Sequence, residues 1–436
     1  MVVRAPRGGD ARAAYLPELA SLVWPAPADA ALRRGGRAGY VVVPSAARPR
    51  LLVPAGAPRA AAGAILRATE AAGTKARLER RLLAAAFRAG VGPLALRDRL
   101  VVDADGTGLD AHLADILGRP VLLSLHIGPA RANRKPVIQL LGRRGEPLGF
   151  AKLGVDPLTR ALVDAEAAAL GRLAELKAAR ASGGAMEAAR ASGGAMEAAT
   201  VLGPVTVADV LHHGVWGGHA LLVQSALPVR LPRAAGPAAV AAERAAMVAV
   251  AGCLGTPHEA YAGSAYAVRL AAEVDALGER PEAHRLRAVL ATVAGRNPVL
   301  AFGCWHGDWN GGNNAALADG RMLVWDWERF ATGVPVGYDP LHLALQTAIT
   351  RAGTPPVDAA RALLTGADSL LDGFGQPAGS TDLVAVLYLV ELAVRYLRDR
   401  QAEAGARLGH IGAWLLPVVE EHLAGRGRAV EGAAQQ

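Results

Sequence analysis

Apolar positions fall into two regimes along this chain. Between residues 121 and 224 they come in short runs bounded by turn residues: Val121-Leu122-Leu123-Ser124-Leu125, Pro136-Val137-Ile138-Gln139-Leu140-Leu141, Gly149-Phe150-Ala151-Lys152-Leu153, then Val207–His213 and Ala220–Gln224 on either side of Gly214-Val215-Trp216-Gly217-Gly218. Runs of this length with turns between them predict antiparallel strands. Leu158–Leu176 and most of the chain after Pro228 instead repeat apolar residues at helical spacing. Two or three Ala-rich helices are expected in 237–290, and others near 358–371, 382–402 and 409–424 before a frayed Ala-Gly-Arg tail. Ahead of residue 119, Tyr40-Val41-Val42-Val43 and Leu51-Leu52-Val53 read as strands, and Val101-Val102 before Asp105-Gly106 as the start of a hairpin. The stretch near Ala60–Gly90 reads as a helix carrying Leu78, Leu82, Leu83 and Phe87. The pattern predicts an α+β protein in three parts: an N-terminal α/β extension over 1–118, an antiparallel-sheet lobe over 119–228 and a mostly helical lobe over 229–436.

Composition narrows the classes. No window approaches the roughly 20 uninterrupted apolar residues of a membrane span. Met1–Ala30 has Arg4 and Arg7 but no continuous apolar segment behind them, so no secretory signal is expected. Cys253 and Cys304 are the two cysteines and supply no disulfide framework, which suits a reducing cytoplasm. The net charge of +8 rests on 47 basic residues, and all but Lys75, Lys135, Lys152 and Lys177 are Arg. No dense basic run is interleaved with aromatics, so nucleic acid is not the expected partner. The charge is uneven: residues 1–228 hold 29 basic and 18 acidic side chains (+11), whereas 229–436 hold 18 and 21 (−3).

The chemistry concentrates in Trp305-His306-Gly307-Asp308-Trp309-Asn310-Gly311-Gly312-Asn313-Asn314 and in Leu323-Val324-Trp325-Asp326-Trp327-Glu328-Arg329-Phe330. The first reads His-x-Asp-x-x-x-x-Asn on a Gly-rich loop, and the second is a short apolar strand ending in Asp-x-Glu. Phosphoryl transfer needs a carboxylate beside the attacking hydroxyl and oxygen ligands around Mg²⁺, with little covalent work for the protein. Asp308 fits the first role, Asn313 and Asp326 the second. Glu328 adds a further metal oxygen, and His306 is expected to orient the loop through its ring N–H groups. Asp326 follows Asp308 by 18 residues, room for a loop, a strand, a turn at Asp319-Gly320 and a returning strand. Four of the seven tryptophans (Trp305, Trp309, Trp325, Trp327) fall here in a chain with only 4% aromatics, which predicts rigid packing around the polar cluster.

Lys152 is a rare Lys set between apolar neighbours near a strand end, suited to phosphate oxygens. In the helical stretch that follows, Glu166 shares a face with Leu162, Leu170 and Leu173. A lone inward carboxylate is costly unless paired, and Lys152 is the available cation; Glu175 is the substitute partner. The loop Gly128-Pro129-Ala130-Arg131-Ala132-Asn133 reads equally as a phosphate-covering loop, with Gly128 letting backbone N–H groups approach, or as an ordinary hairpin connection. Ser225-Ala226-Leu227-Pro228 reads as an inter-lobe hinge whose backbone, at Ser225 and Leu227, suits an adenine edge. Arg-Ala-Ser-Gly-Gly-Ala-Met-Glu-Ala-Ala occurs twice in tandem, from Arg180 and from Arg190, and is expected to be an expanded surface loop. His212, His213 and His219 have no carboxylate or Cys at metal-site spacing. Asp339, in Gly337-Tyr338-Asp339-Pro340, is placed to cap a helix or brace the loop.

Lys152, Glu166, His306, Asp308, Asn313, Asp326 and Asp339, in this order, resemble the aminoglycoside phosphotransferase and choline kinase group of protein-kinase-like enzymes, over roughly 119–424. The resemblance implies a small lobe of five antiparallel strands and a helix, a hinge, a helical lobe, and ATP with Mg²⁺ in the cleft. Asp326-Trp327-Glu328 looks like the Asp-x-Glu of choline kinases. Asn310 stands where the family often has His, and residues 1–118 have no counterpart. The expected function is ATP- and Mg²⁺-dependent phosphorylation of a small-molecule hydroxyl; a nucleotide-binding pseudokinase or regulatory scaffold is the alternative. A protein kinase is disfavoured because Asp326-Trp327-Glu328 replaces Asp-Phe-Gly and no Ala-Pro-Glu segment follows. The acceptor is expected to be neutral or cationic, since 229–436 is net negative and acidic groups crowd the motif. Arg329, next to the metal motif, is the cation that argues the other way.

Overall fold

The computed structural model describes residues 11–36, 38–67, 74–103, 106–128, 132–190 and 202–434. The chain divides into two compact units, one drawn from Met1–Ala167 and Ala208–Ala226, the other from Ala168–Val207 and Leu227–Gln436.

The first unit is built on a nine-stranded antiparallel sheet. Its strands are β1 (Asp29–Arg34), β2 (Tyr40–Val43), β3 (Leu51–Pro54), β4 (Asp98–Asp103), β5 (Leu122–His126), β6 (Val137–Leu141), β7 (Pro147–Gly154), β9 (Val210–Trp216) and β10 (His219–Gln224), in the order β1-β4-β2-β3-β5-β6-β7-β10-β9. The five strands expected within 119–228 form one end. Four strands from the first 118 residues continue the sheet through pairing of Leu51 and Leu52 in β3 with His126 and Leu125 in β5. Val101-Val102 belongs to β4, which pairs with β1 and β2 rather than starting a hairpin at Asp105-Gly106; Leu109–Leu117 that follows is a helix, α5. The β9–β10 hairpin is tighter than the sequence pattern suggests. Gly214, Val215 and Trp216 stay in the strand, and Gly217-Gly218 alone makes the turn, both with positive φ as a two-residue type I′ turn requires.

Strand alternation puts Leu52, Leu123, Leu125, Ile138, Leu140, Ala151, Leu153, Leu221 and Val223 in one core with α1 (Ala11–Val23) and α5. Val41, Val43, Leu51, Val53 and Leu141 pack with α2 (Pro58–Arg67) and α3 (Thr74–Arg88), which a short α4 (Gly92–Ala95) follows. The helix expected near Ala60–Gly90 is thus seen as two, and its stripe is only half inward. Phe87 is buried, whereas Leu78 and Leu82 are 58% and 62% exposed, because Ala84 rather than Leu82 shares the Phe87 face. Helix α6 (Pro157–Arg190) starts in this unit, where Val163 and Ala167 meet Ala220 and Leu222.

α6 continues into the second unit and through the first copy of the tandem repeat, which corrects the expectation of a loop there. Ala, Met and Glu are strong helix formers, enough to carry Gly183-Gly184 at about 1 kcal/mol each. The second copy after Arg190 lies outside the described residues. The rest of the second unit is mostly helical: α7 (Gly236–Ala251), α8 (Ala265–Asp275), α9 (Pro281–Arg296), α10 (Tyr338–Thr350), α11 (Pro356–Thr365), α12 (Ala367–Leu371), α13 (Thr381–Arg398) and α14 (Ile411–Ala434). Helix α14 runs on through most of the expected frayed tail. Two small sheets accompany them, β11 (His258–Ala260), β12 (Val299–Trp305) and β15 (Ala331–Pro335), and β13 (Asn314–Ala316), β14 (Met322–Val324) and β8 (Val205–Thr206). Helix α13, buried along Leu383–Val394, lies in the core shared with α8, α9, α10, α11 and α14. Among the described residues no helix is long and apolar enough to cross a membrane.

Candidate active site

The His306–Asn314 loop leaves β12 and enters β13; Gly320 (φ +85°) turns the chain into β14, and Asp326 follows at its end. The loop is held from four sides. Asp339, in the first turn of α10, accepts hydrogen bonds from the backbone N–H of His306 (2.8 Å) and of Gly307 (3.1 Å). Of the two roles open to it, bracing the loop is therefore the one it fills. Arg395 of α13 donates to the Gly307 carbonyl at 2.6 Å, with its guanidinium 4.8 Å from the Trp305 ring centroid. Glu243 of α7 accepts from Trp309 Nε1 (3.1 Å) and Asn314 Nδ2 (2.9 Å). The fourth support is His306, whose ring lies edge-on to Trp327 and Trp309 at 4.7 and 5.8 Å. Gly307 has no alternative here: its φ is +88°, and a Cβ would lie 2.2 Å from the Arg329 carbonyl oxygen.

His306 is fully buried, and burial pushes its pKa down to about 4 against the raising influence of Asp308, the Trp325 carbonyl and Asp326. It is neutral at pH 7. Its Nδ1 accepts from the Asp308 N–H at 3.2 Å and its Nε2 faces the Trp325 carbonyl at 3.0 Å, which assigns the proton to Nε2. The ring thus orients the loop with one N–H and one lone pair, not two N–H groups.

Both oxygens of Asp308 are held. Asn313 Nδ2 donates to Oδ2 at 2.8 Å and to the Asp308 carbonyl at 3.0 Å, while His342 Nε2 meets Oδ1 at 3.2 Å. Its side chain is 42% exposed and so is open to solvent. The surrounding protein works to raise its pKa, but the His342 hydrogen bond and the two neighbouring imidazoles outweigh that and keep it below the ordinary carboxylate value. His342 in turn pairs through Nδ1 with the Tyr388 hydroxyl at 3.0 Å; burial holds that phenol well above its usual pKa, so it stays protonated. Asp339 is itself raised to about 7 by burial, with the two backbone N–H groups and Arg395 opposing.

Asp326 has φ +71° and ψ +52°, a left-handed conformation rare outside glycine and concentrated at functional sites. Glu328 is buried at 7% exposure, and its carboxylate lies within 4.8 Å of that of Asp326. Arg329, which follows Glu328 in sequence, is paired with Asp399.

In the first unit, Lys152 on β7 and Glu166 on α6 form a buried ion pair with Nζ 2.6 Å from each carboxylate oxygen. Lys152 sits opposite Leu222 of β10, on the sheet face that α6 covers, so Glu166 and not Glu175 is its partner. Gly128 is described, but Pro129 to Arg131 of its loop lie outside the described residues; a Cβ on Gly128 would meet nothing within 4 Å. The Ser225 N–H donates to the Asp209 carbonyl at 2.8 Å, its hydroxyl accepts from the Asp209 N–H at 2.8 Å, and the Leu227 carbonyl accepts from Val229 at 2.8 Å.

Sequence reading did not single out His342, Tyr388, Arg395 or Glu243. His342 lies three residues after Asp339, one helical turn on, and that spacing is the only signal it leaves in the sequence. The chain is similar in structure to candidate fructosamine-3-kinases from Haemophilus somnus 129PT (TM-score 0.38, 12% identity, covering 72% of this chain and 96% of that one) and Thermobifida fusca YX-ER1 (0.37, 17%, 72% and 98%). A third likeness is to an aminoglycoside phosphotransferase from Alicyclobacillus acidocaldarius subsp. acidocaldarius DSM 446 (0.33, 13%, 71% and 92%). Neither a family model nor a curated protein matches the sequence. At these TM-scores the likenesses add no weight to the site, which stands on its own geometry.

Proposed function

We propose that this chain is an ATP- and Mg²⁺-dependent phosphotransferase of protein-kinase-like type, acting in the cytoplasm on a hydroxyl group of a small molecule such as an aminoglycoside, amino sugar or amino alcohol. The observation that carries the reading is the Asp308 carboxylate: ionised, part-exposed, and fixed between His342 and Asn313 on a loop braced by Asp339. In this reading Asp308 receives the proton of the acceptor hydroxyl, and His306 keeps the loop in register. The donor set suits Mg²⁺, a hard cation that takes oxygen ligands. Asn313 spends its NH₂ on Asp308, which leaves its carbonyl oxygen for a cation, and Asp326 and Glu328 add carboxylate oxygens. The ion, when bound, would offset charge on the nucleotide phosphates. Lys152, fixed by Glu166, would contact those phosphates, with Gly128 near them and the Ser225–Leu227 backbone near the base.

A neutral or cationic acceptor is supported by the part-exposed carboxylates of Asp308 and Asp326 and by the pairing of Arg329 with Asp399. Asp339 does not add to this, since it is buried and braces backbone. Calorimetric titration with Mg-ATP tests the metal roles: Asp326→Ala is expected to abolish Mg²⁺-dependent nucleotide binding more completely than Glu328→Ala. Normal binding by Asp326→Ala with loss in Glu328→Ala would reverse the two.

A further inference from the structure

The Gly-rich turn between Asp308 and Asn313 holds a cation that the proposed chemistry has not yet used. Arg351 follows α10 as its cap, its N–H bonded to the Thr347 carbonyl, and its guanidinium points one nitrogen, Nη2, at Gly311. A Cβ on Gly311 would fall 1.9 Å from Arg351 Nη2 and 2.8 Å from its Cζ. Gly311 does not have a positive φ, and among the described residues no backbone atom crowds its Cβ position; the group that meets it there is the Arg351 guanidinium. Arg351 is exposed, and among the described residues it has no ion-pair partner. Arg329 and Arg395, which also lie beside the loop, are committed, Arg329 to Asp399 and Arg395 to the Gly307 carbonyl. Asn310 is a neutral amide whose side chain is folded into the turn, donating to the Asp308 carbonyl (3.0 Å) and accepting from the Gly312 N–H (2.8 Å). An unpaired guanidinium therefore packs on the residue midway between the proposed base and the proposed metal ligand.

We propose that Arg351 contacts the phosphoryl group during transfer and stabilises the charge on its equatorial oxygens. This rests on the phosphotransferase reading. In that step the bond from phosphorus to the β,γ-bridging oxygen breaks, a bond to the acceptor oxygen forms, and the acceptor proton passes to Asp308; Arg351 exchanges no bond. A group of this kind acts more strongly in the transition state than in the ground state, and removing one such donor usually costs about 10²–10³ in rate, less at an exposed position.

The test does not require the acceptor to be known. Calorimetry is run with ADP and Mg²⁺, with and without aluminium fluoride as a mimic of the transferring group, on wild type, Arg351→Ala and Gly311→Ala. Arg351→Ala is expected to leave ADP affinity within about twofold and to weaken the fluoride complex by about 10–100-fold. Gly311→Ala, which displaces the tip of this flexible side chain without changing its charge, is expected to weaken the fluoride complex in the same direction by less than Arg351→Ala. Equal affinity of wild type and Arg351→Ala for the fluoride complex would overturn the assignment. A wild type that binds neither ADP nor the fluoride complex would instead overturn the phosphotransferase reading. Once an acceptor is found, a raised acceptor KM with unchanged kcat in Arg351→Ala would place Arg351 on the acceptor and also refute the proposal.

Discussion

Lys152–Glu166 and the Asp308 loop solve the same problem, a charge that must stay ionised inside protein, in opposite ways. In the first unit two full charges are 5% and 0% exposed and held at 2.6 Å by one another. In the second, the charge of Asp308 is shared between His342 and Asn313, and it remains part-open to solvent. A buried pair is rigid, and losing either member costs the other its closest counter-charge. A shared carboxylate can lose one contact and keep its place, which suits the role of base proposed for Asp308.

The contrast is broken most severely at the ion pair. Glu166→Gln, which removes the carboxylate held 2.6 Å from the buried Lys152 Nζ, is expected to cost about 3–5 kcal/mol. The double replacement Lys152→Met, Glu166→Leu should recover most of that stability without recovering nucleotide binding. Urea midpoints checked beside Mg-ATP titrations would show it; full recovery of both would mean that the pair serves packing alone.

A smaller effect is expected at His306. Its folded pKa is about 4 against an ordinary value near 6.5, so the unfolded chain binds this proton first as the pH falls. The contribution is complete above about 6.5 and disappears as the pH drops towards 4, amounting to about 3 kcal/mol at most. Asp339, raised to about 7, has the opposite sign over an overlapping range, so the variant must be compared with wild type rather than either curve read alone. Relative to wild type, His306→Asn should show a flatter loss of urea stability between pH 6.5 and 4. Parallel curves would mean that His306 does not titrate across folding.

What the sequence discloses follows the distance over which each group is fixed. Asp308 and Asn313 lie in one turn, and Asp326 is one hairpin away, so spacing alone brings them together. Glu166 shows itself by a mismatch, a carboxylate on an apolar helical face, and Lys152 is the neighbour that resolves it. His342, Arg395 and Arg351 reach the loop from α10, α13 and the end of α10, with Tyr388 behind His342, 34 to 88 residues away in sequence for the pairs bonded to the loop, and no periodicity encodes which helix face meets which loop. The extension of the sheet is hidden for the same reason: β3 and β5 pair across some 70 residues, and alternation cannot say which strand is the neighbour. The tandem repeat misleads because glycine is read as a helix breaker, when two glycines among good helix formers cost less than the helix gains.

The central claim is that Asp308 acts as the base of a Mg-ATP phosphotransferase. Its most direct test is transfer of the labelled γ-phosphoryl group from Mg-ATP to a panel of aminoglycosides, sugars, amino alcohols and nucleosides, with wild type and Asp308→Asn side by side. The account predicts transfer by wild type to at least one acceptor, and by Asp308→Asn a rate lower by about 10²–10⁴ with Mg-ATP affinity essentially retained. Transfer by Asp308→Asn at the wild-type rate, or a wild type that does not bind Mg-ATP, would contradict it.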